Sequence, residues 1–393
     1  IDRRSIDFSK MTAEHGDEPV VPFSFLTDTK LQNTHSCYLT WTNEETHQII
    51  RDNLHRSPMF SGTIKGTGAR YCPSIEDKVY RFADKDRHQL FLEPESASSN
   101  EWYVQGMSTS MPADIQHKMY HTVPGLENAV LTRLAYAIEY DCIDPTGLSP
   151  TMASLEVEGL YLAGQINGTS GDEEAAAQGL LAGINAVQYI QNKPPLVLTR
   201  DMSYIGVLTD DLTTKGTDEP YRMMTSRAEH RLSLRQDNAD IRLTPLGHAL
   251  KLASDKRMQR LEQKTNQTKE LTEKIEDLGK TTTLRRPEVH ITDIVQDSHL
   301  YTKAALEQAE IQIKFAGYLQ KEQANIRQTA AMEGHRLTPD IPYMQLDALR
   351  IEARQKLAKH QPISLGQASR IPGVSPADIA VLTVWLKKNQ PKD

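Results

Sequence analysis

The spacing of apolar residues along the chain changes character near Pro195. Before this point the apolar runs are short: residues 160–163 predict a strand that leads into a glycine-spaced turn, and the small residues of 172–190 predict a helix. Beyond it, apolar positions recur every three or four residues over 258–278, which predicts one stripe of a long helical arm. The pattern therefore indicates an α/β portion followed by an all-helical region.

Shorter signals predict the remaining elements of the first part. Residues 20–23 and 37–41 are typical of extended segments, and Asn43 is a good cap for a helix that begins after it. Apolar runs over 79–82 and 89–92, on either side of a charged turn, predict a β-hairpin.

The second part is predicted to contain two further helical regions. A long helix over 302–331 is the expected antiparallel partner of the arm, and a cluster of short helices follows over 350–388. Two helices of the cluster flank a Pro-Gly turn at 372–373. The second of them is too apolar to read bases, so a small core or a protein-docking surface is favoured over a DNA-binding helix-turn-helix.

Composition indicates a globular protein of two or three domains. The 393 residues carry a formal net charge of −7, with 38% apolar and 25% charged residues. No apolar run approaches the ~18 residues of a membrane span and the first residues do not form a signal peptide, so we expect a cytoplasmic protein without membrane contact. The chain starts at Ile1 without Met, which predicts a piece of a longer protein.

The glycine-spaced turn is the first candidate for chemistry. Gly164, Gly168 and Gly171 lie just before the predicted helix over 172–190. The first N–H groups of a helix have no intrahelical partner, and glycines let a ligand approach the backbone, so this turn can hold an anion or the polar edge of a cofactor. The spacing is not GxGxxG. A tightly packed crossover without any ligand is therefore an equal alternative.

Cysteine chemistry is the second candidate. Three widely spaced cysteines predict neither a disulfide framework nor a metal site. Cys72 lies between Arg70 and Lys78, and nearby cations favour the reactive thiolate. The alternative for Cys72 is a small core residue, and packing roles are expected for Cys37 and Cys142.

Arginines are concentrated over 221–242 in an otherwise acidic chain. Ser226 and Glu229 form a capping box, which predicts that a helix begins there and carries arginines on one face. Guanidinium groups in such a row suit the phosphates of a nucleic acid, whereas the alternative is a structural network with Glu229, Asp237 and Asp240. The candidates for RNA contact are Arg222, Arg227, Arg231, Arg235 and Arg242.

Several longer motifs resemble those of one family, MnmG/GidA. They are spread in family order from one end of the chain to the other: 71–78, 91–95, 136–141, 163–169, 173–179, 221–243, 366–370 and 384–388. The resemblance implies an α/β flavin-binding portion of the glutathione-reductase-like FAD/NAD-binding class, with a small α+β insertion, and then an all-α C-terminal domain. It places the FAD-binding portion at 1–20 and 61–195, the insertion at 21–60, the helical domain with its arm at 196–335, and a C-terminal helical subdomain for partner docking at 336–393.

The resemblance implies an enzyme that modifies carbon 5 of the wobble uridine of tRNA by adding a carboxymethylaminomethyl or aminomethyl group. In this family FAD is reduced by NADH, methylenetetrahydrofolate gives a one-carbon unit, and the homodimeric enzyme works with the GTPase MnmE. The alternatives are a folate- and FAD-dependent tRNA uridine methyltransferase, which lacks the long helical extension, and a non-catalytic RNA- or partner-binding fragment. A flavin oxidoreductase of small metabolites is disfavoured by the arginines and the arm.

Site residues are implied by the matching motifs. Cys72 corresponds to a family cysteine proposed to act near the flavin, as nucleophile or base toward uracil. The FAD contacts implied near the turn are Gly164, Gln165, Asn167, Gly168, Gly171 and Glu174. The loop and hairpin strand implied to line the nicotinamide and flavin site are Gly68, Ala69, Arg70, Tyr71, Cys72, Pro73, Ser74, Ile75, Glu76, Asp77, Lys78, Val79, Tyr80, Arg81 and Phe82.

The chain departs from the family pattern at a few places. Most members carry Tyr where this chain has Asp172 and His230, and their connection near Gly279 is longer. Family members also begin about two hundred residues earlier, with the GxGxxG phosphate loop for FAD.

Overall fold

A computed structural model gives the fold of residues 1–66, 73–338 and 340–389. The chain divides into two units, Ile1–Asp141 and Cys142–Asp393. Strands lie in the first unit, whereas the described part of the second is built from helices, turns and isolated bridges. The predicted order, a portion with a sheet before a helical region, is thus confirmed along the described chain.

An antiparallel sheet organises the first unit. Its strands lie side by side in chain order, and Leu90 and Leu92 alternate with the less buried Gln89 and Phe91 on the third of them. The buried leucines join a core with Ile50. The strands are β1 (Thr12–Glu14), β2 (Cys37–Trp41), β3 (Gln89–Pro94) and β4 (Trp102–Gln105).

In the described part of the first unit, the helices that pack on this core are α1 (Glu44–Asp52), α2 (Ile75–Arg81) and α3 (Ala113–Tyr120). The helix predicted after Asn43 is confirmed, because the Asn43 side chain accepts the N–H of Thr46 and the Thr46 hydroxyl accepts the N–H of Asn43. Strand predictions at 37–41 and 89–92 are also confirmed.

The hairpin strand predicted at 79–82 is wrong, because these residues end α2. Ser74 caps this helix by accepting the N–H of Asp77 at 3.2 Å, and Arg81 binds the Asp77 carboxylate at 2.7 Å. Ile75 and Val79, four residues apart, both face the core. The helical spacing of the buried residues and the local cap therefore favour a helix over the strand that the apolar run predicted. The strand β3 pairs with β2 and β4.

Two other predicted extended segments do not form strands. Residues 20–23 are irregular. Phe23 is 97% exposed, so burial of its side chain does not favour a strand here. Residues 160–163 contribute an isolated bridge between Tyr161 and Ala153 within the described chain. The glycine-spaced turn therefore follows a short bridge and not a strand of a sheet.

Helices of the second unit begin with the predicted one after the turn, α4 (Asp172–Ile190), and continue to the C-terminal cluster. They are α5 (Tyr204–Lys215), α6 (Ala239–Ala249), α7 (Asp255–Asp277), α8 (Thr281–Leu284), α9 (Ile291–Ile294), α10 (Lys303–Lys314), α11 (Ala316–Gly334), α12 (Ile351–His360), α13 (Leu365–Arg370) and α14 (Pro376–Asn389). The predicted cluster of short helices near the end is confirmed and has its own core around Leu357 and Leu382.

The predicted helical arm is α7, and its buried stripe includes Leu261, Leu271 and Ile275. It packs on α10, and the contacts follow the same chain order along both helices: Thr302 binds Gln267 within α7, whereas the Ile313 carbonyl near the end of α10 accepts from Arg285, beyond the end of α7. The predicted antiparallel pairing is therefore wrong. The predicted helix over 302–331 is interrupted. Phe315 has φ −101° and ψ 10°, and from there the chain leaves α7 so that α11 packs on α13.

Candidate cofactor site

The glycine-spaced turn needs its glycines for conformational reasons. Gly164, Gly168 and Gly171 have φ values of 86°, 80° and 135°, in the region that residues with a Cβ rarely adopt. A short 3-10 turn, Gln165–Asn167, lies between the first two. The third glycine leads directly into α4, whose first turn receives no side-chain cap.

A buried network of polar side chains holds the turn in place. Asn167 donates to the Leu162 carbonyl at 2.9 Å and to Gln178 Oε1 at 2.8 Å, and the Gln178 amide donates to the Thr169 hydroxyl at 3.0 Å. Thr169 donates in turn to the Gly164 carbonyl at 3.1 Å. Because Asn167, Thr169 and Gln178 are all almost fully buried, the network fixes the backbone of the turn.

Residues 221–223 hold the turn from the other side. Tyr221 donates its N–H to the Gly168 carbonyl at 2.9 Å and accepts the N–H of Ser170 at 2.8 Å, which makes a parallel bridge. The buried Glu174 carboxylate accepts the N–H of Met223 at 2.7 Å. The turn is thus clamped between α4 and a segment some fifty residues further along.

The turn fits the polar edge of a planar cofactor such as FAD. Asn167 Oδ1 is buried and has no hydrogen-bond partner among the described residues, and the start of α4 offers uncapped N–H groups. Asp172 and Glu173 in the first helical turn are exposed and acidic, which disfavours a phosphate beside them. The arrangement suits the hydrogen-bonding edge of a flavin ring better than its pyrophosphate.

The residues implied for the nicotinamide and flavin site differ in their surroundings. Gly68, Ala69, Arg70, Tyr71 and Cys72 lie outside the described residues. Ile75, Glu76 and Val79 are buried in α2, where the Glu76 carboxylate accepts both the N–H and the hydroxyl of Ser110 at 2.8 Å. Tyr80 and Phe82 are at least half exposed and remain accessible to a ligand.

The helix predicted to start at Ser226 is wrong, and with it the single row of arginines. Thr225–Arg227 is a 3-10 turn, and Ala228 is already extended. Glu229 does not return to cap Ser226, because its carboxylate accepts two hydrogen bonds from Arg200 at 2.8 and 2.9 Å. A tertiary ion pair therefore overrules the local capping signal.

Four of the five predicted RNA-contacting arginines are engaged inside the protein. Arg222 donates to the Ser170 carbonyl, and Arg227 donates to the Arg222 carbonyl and stacks on the Tyr221 ring at 4.2 Å. The Arg235 guanidinium donates to the Asp237 carboxylate. The Arg242 guanidinium donates to backbone carbonyls. Arg231 is exposed and has no ion-pair partner among the residues that the structure describes.

Sequence reasoning missed a buried ionic cluster centred on Arg200. Arg200 binds Asp211 at 2.8 Å and Asp210 at 3.0 Å besides Glu229, and Asp210 also binds Arg370 of α13 at 2.7 Å. Burial alone would lower the pKa of Arg200, but the hydrogen bonds to Glu229 and the charges of the aspartates raise it above its ordinary value. No local pattern around Arg200 indicates its partners, which come from α5 and from the segment of Glu229.

A cavity of about 290 Å³ lies beside this cluster, and His230 lines it. His230 is 4% exposed, and its Nε2 has no hydrogen-bond partner within the described chain. Arg200 and Arg370 also line the cavity, but their guanidinium groups are already bound to carboxylates. Among the described residues that line the cavity, every guanidinium is thus already paired with a carboxylate.

The two described cysteines differ from each other. Cys37 is half-buried in β2, and burial together with Glu93 raises the pKa of its thiol. Cys142 is exposed, so the packing role expected for it is wrong.

Within the described ranges, no three side chains of His, Cys, Asp or Glu are grouped as a metal site, and no helix is long and apolar enough to cross a membrane.

Three family models match the chain. The description "Glucose inhibited division protein A" covers residues 1–194, and "tRNA modifying enzyme MnmG/GidA" covers 251–323 as its C-terminal helical domain and 325–393 as its C-terminal helical bundle. These matches, with the structural neighbours below, confirm the predicted fold class.

Curated relatives and solved structures agree with the family models. Proteins named tRNA uridine 5-carboxymethylaminomethyl modification enzyme MnmG, from Lachnoclostridium phytofermentans and Clostridium botulinum, are each 51% identical over 99% of this chain. The chain spans 66% of the length of these relatives. Two crystal forms of Aquifex aeolicus GidA match 98% of this chain and 65% and 66% of theirs, at 42% and 44% identity with TM-scores of 0.86 and 0.87. The chain belongs to the MnmG/GidA family.

Proposed function

We propose that this protein takes part in the modification of carbon 5 of the wobble uridine in tRNA, as an FAD-dependent enzyme. The observation that carries the proposal is 51% identity, over 99% of the chain, to relatives named for that reaction. The fold supports it, because the glycine-spaced turn, its buried supports and the helical domains occur together in one chain.

The residues proposed to hold the flavin are those of the turn: Gly164, Gln165, Asn167, Gly168, Gly171 and Glu174. Asn167 offers the unpartnered Oδ1 and the start of α4 offers N–H groups, while Glu174 acts by holding Met223 in place. When bound, FAD supplies the redox chemistry of the reaction, and the protein supplies position and electrostatics.

We propose Cys72 as the catalytic residue, as nucleophile or base toward the uracil ring. Its neighbours in sequence, Arg70 and Lys78, are cations that favour a thiolate. Cys72→Ser should retain bound FAD and lose tRNA modification, as measured by the flavin spectrum and by nucleoside mass spectrometry. Cys142→Ser, at an exposed cysteine, is the matched control and should retain both properties. Full modification activity in Cys72→Ser would remove this residue from the mechanism.

A uracil stacked in the anticodon loop must leave the stack to reach a flavin, so the enzyme also needs a surface that binds RNA. Among the predicted arginines we propose Arg231 for direct phosphate contact, because its guanidinium is exposed. The other four, Arg222, Arg227, Arg235 and Arg242, contribute to RNA binding by shaping the surface around it, since their forks are engaged with the protein.

The co-substrates and partners proposed for the whole protein are NADH, methylenetetrahydrofolate and the GTPase MnmE, with a homodimer working in the cytoplasm. The decisive test is reconstitution with the natively encoded protein, unmodified tRNA, MnmE, FAD, NADH, methylenetetrahydrofolate and glycine. We expect 5-carboxymethylaminomethyluridine at the wobble position. Formation of 5-methyluridine would favour a folate- and FAD-dependent methyltransferase, and tRNA binding without FAD or product would favour a non-catalytic binding fragment.

A further inference from the structure

Arg222 lies against the glycine-spaced turn and not on an RNA-facing helix. Its Nη1 donates to the Ser170 carbonyl at 2.8 Å and lies 3.6 Å from the Glu174 carboxylate. The Arg222 side chain is 35% exposed, so about two thirds of it is covered by protein. Arg222 Nη2 also lies 3.8 Å from the Glu173 carboxylate, so all three contacts lie within two peptide bonds of the start of α4 or on its first turn.

The turn is shaped around this guanidinium. A Cβ added to Gly171 would collide with Arg222 Nη1 and with the carboxylate of Glu174. Gly171 also has a φ of 135°, a backbone conformation that residues with a Cβ rarely adopt. The absence of a side chain at Gly171 therefore leaves the space that Arg222 and Glu174 occupy.

A second arginine holds the first in place. Arg227 Nε donates to the Arg222 carbonyl at 2.8 Å, and its guanidinium stacks over the Tyr221 ring. The same Tyr221 forms the backbone bridge with Gly168 and Ser170. Arg227 therefore supports the segment that carries Arg222 and does not touch the turn itself.

We propose that Arg222 is a positioning residue for the flavin, one that fixes the Gly168–Asp172 backbone so that the first N–H groups of α4 keep a single direction. This inference rests on the proposed function, because it assumes that the turn holds FAD. The physical reason is that a charge-assisted hydrogen bond to the Ser170 carbonyl adds a restraint on the peptide between Ser170 and Gly171, beside a glycine that has no side chain to limit its rotation. Without the guanidinium, the Ser170 carbonyl loses this hydrogen bond.

The test compares Arg222→Met, Arg222→Lys and Arg231→Met in the natively encoded full-length protein. FAD affinity and the flavin absorption spectrum are measured first, and tRNA affinity is measured at several salt concentrations. We expect Arg222→Met to weaken FAD binding by about 10-fold or more and to shift the spectrum, and Arg222→Lys to recover part of the loss. Arg231→Met should leave FAD binding unchanged and weaken tRNA binding with a shallower salt dependence.

Two outcomes would overturn the inference. One is wild-type FAD affinity and spectrum in Arg222→Met; the other is an effect of Arg222→Met on tRNA binding alone. If the unaltered protein itself binds no FAD, the proposed function fails. Arg222 is then judged by amide hydrogen exchange over 168–175, where exchange as slow in Arg222→Met as in the unaltered protein rejects the positioning role and faster exchange supports it.

Discussion

Arg200 holds together three carboxylates that are otherwise close neighbours of like charge. Its guanidinium is 9% exposed and donates to Asp210, Asp211 and Glu229 at 2.8 to 3.0 Å. Arg200→Met keeps the length of the side chain but removes the charge, which leaves these carboxylates without the cation they share. Since removing one partner of a buried ion pair costs about 3–5 kcal/mol, we expect the free energy of unfolding of the second unit to fall by about that amount.

The assay is denaturant unfolding followed by circular dichroism, with amide exchange on α5 to assign the loss to the second unit. Lys269→Met is the matched control, because Lys269 and Glu273 form an exposed ion pair on α7 and should contribute little. A loss below about 1 kcal/mol in Arg200→Met, or an equal loss in the control, would refute the reasoning.

The same cluster predicts how acid affects the second unit. Burial alone would raise the pKa of Asp211 and of Glu229, but Arg200 lowers both below their ordinary values. The folded state therefore binds fewer protons than the unfolded state, and stability falls as the pH drops below about 4.5. In Arg200→Met this acid sensitivity should be weaker, because the pKa values of the carboxyl groups return toward those of the unfolded chain.

Three further predictions concern other parts of the chain. Burial lowers the pKa of His47 and of His88, so the first unit should lose stability as the pH falls below 6.5, and replacing His47 by Gln should reduce this loss in denaturant titrations. Tyr343→Phe should raise the unfolding free energy by about 1 kcal/mol, since the buried hydroxyl has no partner in the described chain; a clear loss would show that it has one. Gly206→Ala should destabilise α5 despite better helix propensity, because its Cβ would collide with a backbone carbonyl, whereas Gly247→Ala meets its nearest side chain at an ordinary 3.6 Å and should be neutral or stabilising.

Elements with a complete local signal could be predicted from the sequence. Asn43 begins α1 because its own side chain closes the cap, and the stripe of α7 follows from spacing alone. The turn at Gly164, Gly168 and Gly171 was also predictable as a turn, because positive φ values are a property of glycine itself. In each case the deciding contacts lie within a few residues.

Elements decided by distant partners could not be predicted. The capping box at Ser226 and Glu229 is correct as a pattern, yet Arg200 binds Glu229 and no helix forms there. The predicted row of arginines does not form, since Arg222 binds Ser170 of another segment and Arg227 binds the Arg222 carbonyl. A sequence pattern gives the type of interaction that a side chain can make, but not which of several partners will take it.

The central claim, that the chain acts in tRNA wobble-uridine modification, is tested most directly by the nucleosides of cellular tRNA. The complete native gene is deleted and then restored, and the wobble uridine is analysed by mass spectrometry in each strain. We expect 5-carboxymethylaminomethyl groups to disappear on deletion, to return with the intact gene, and not to return with the Cys72→Ser gene. Wobble uridines that keep the group after deletion would contradict the central claim.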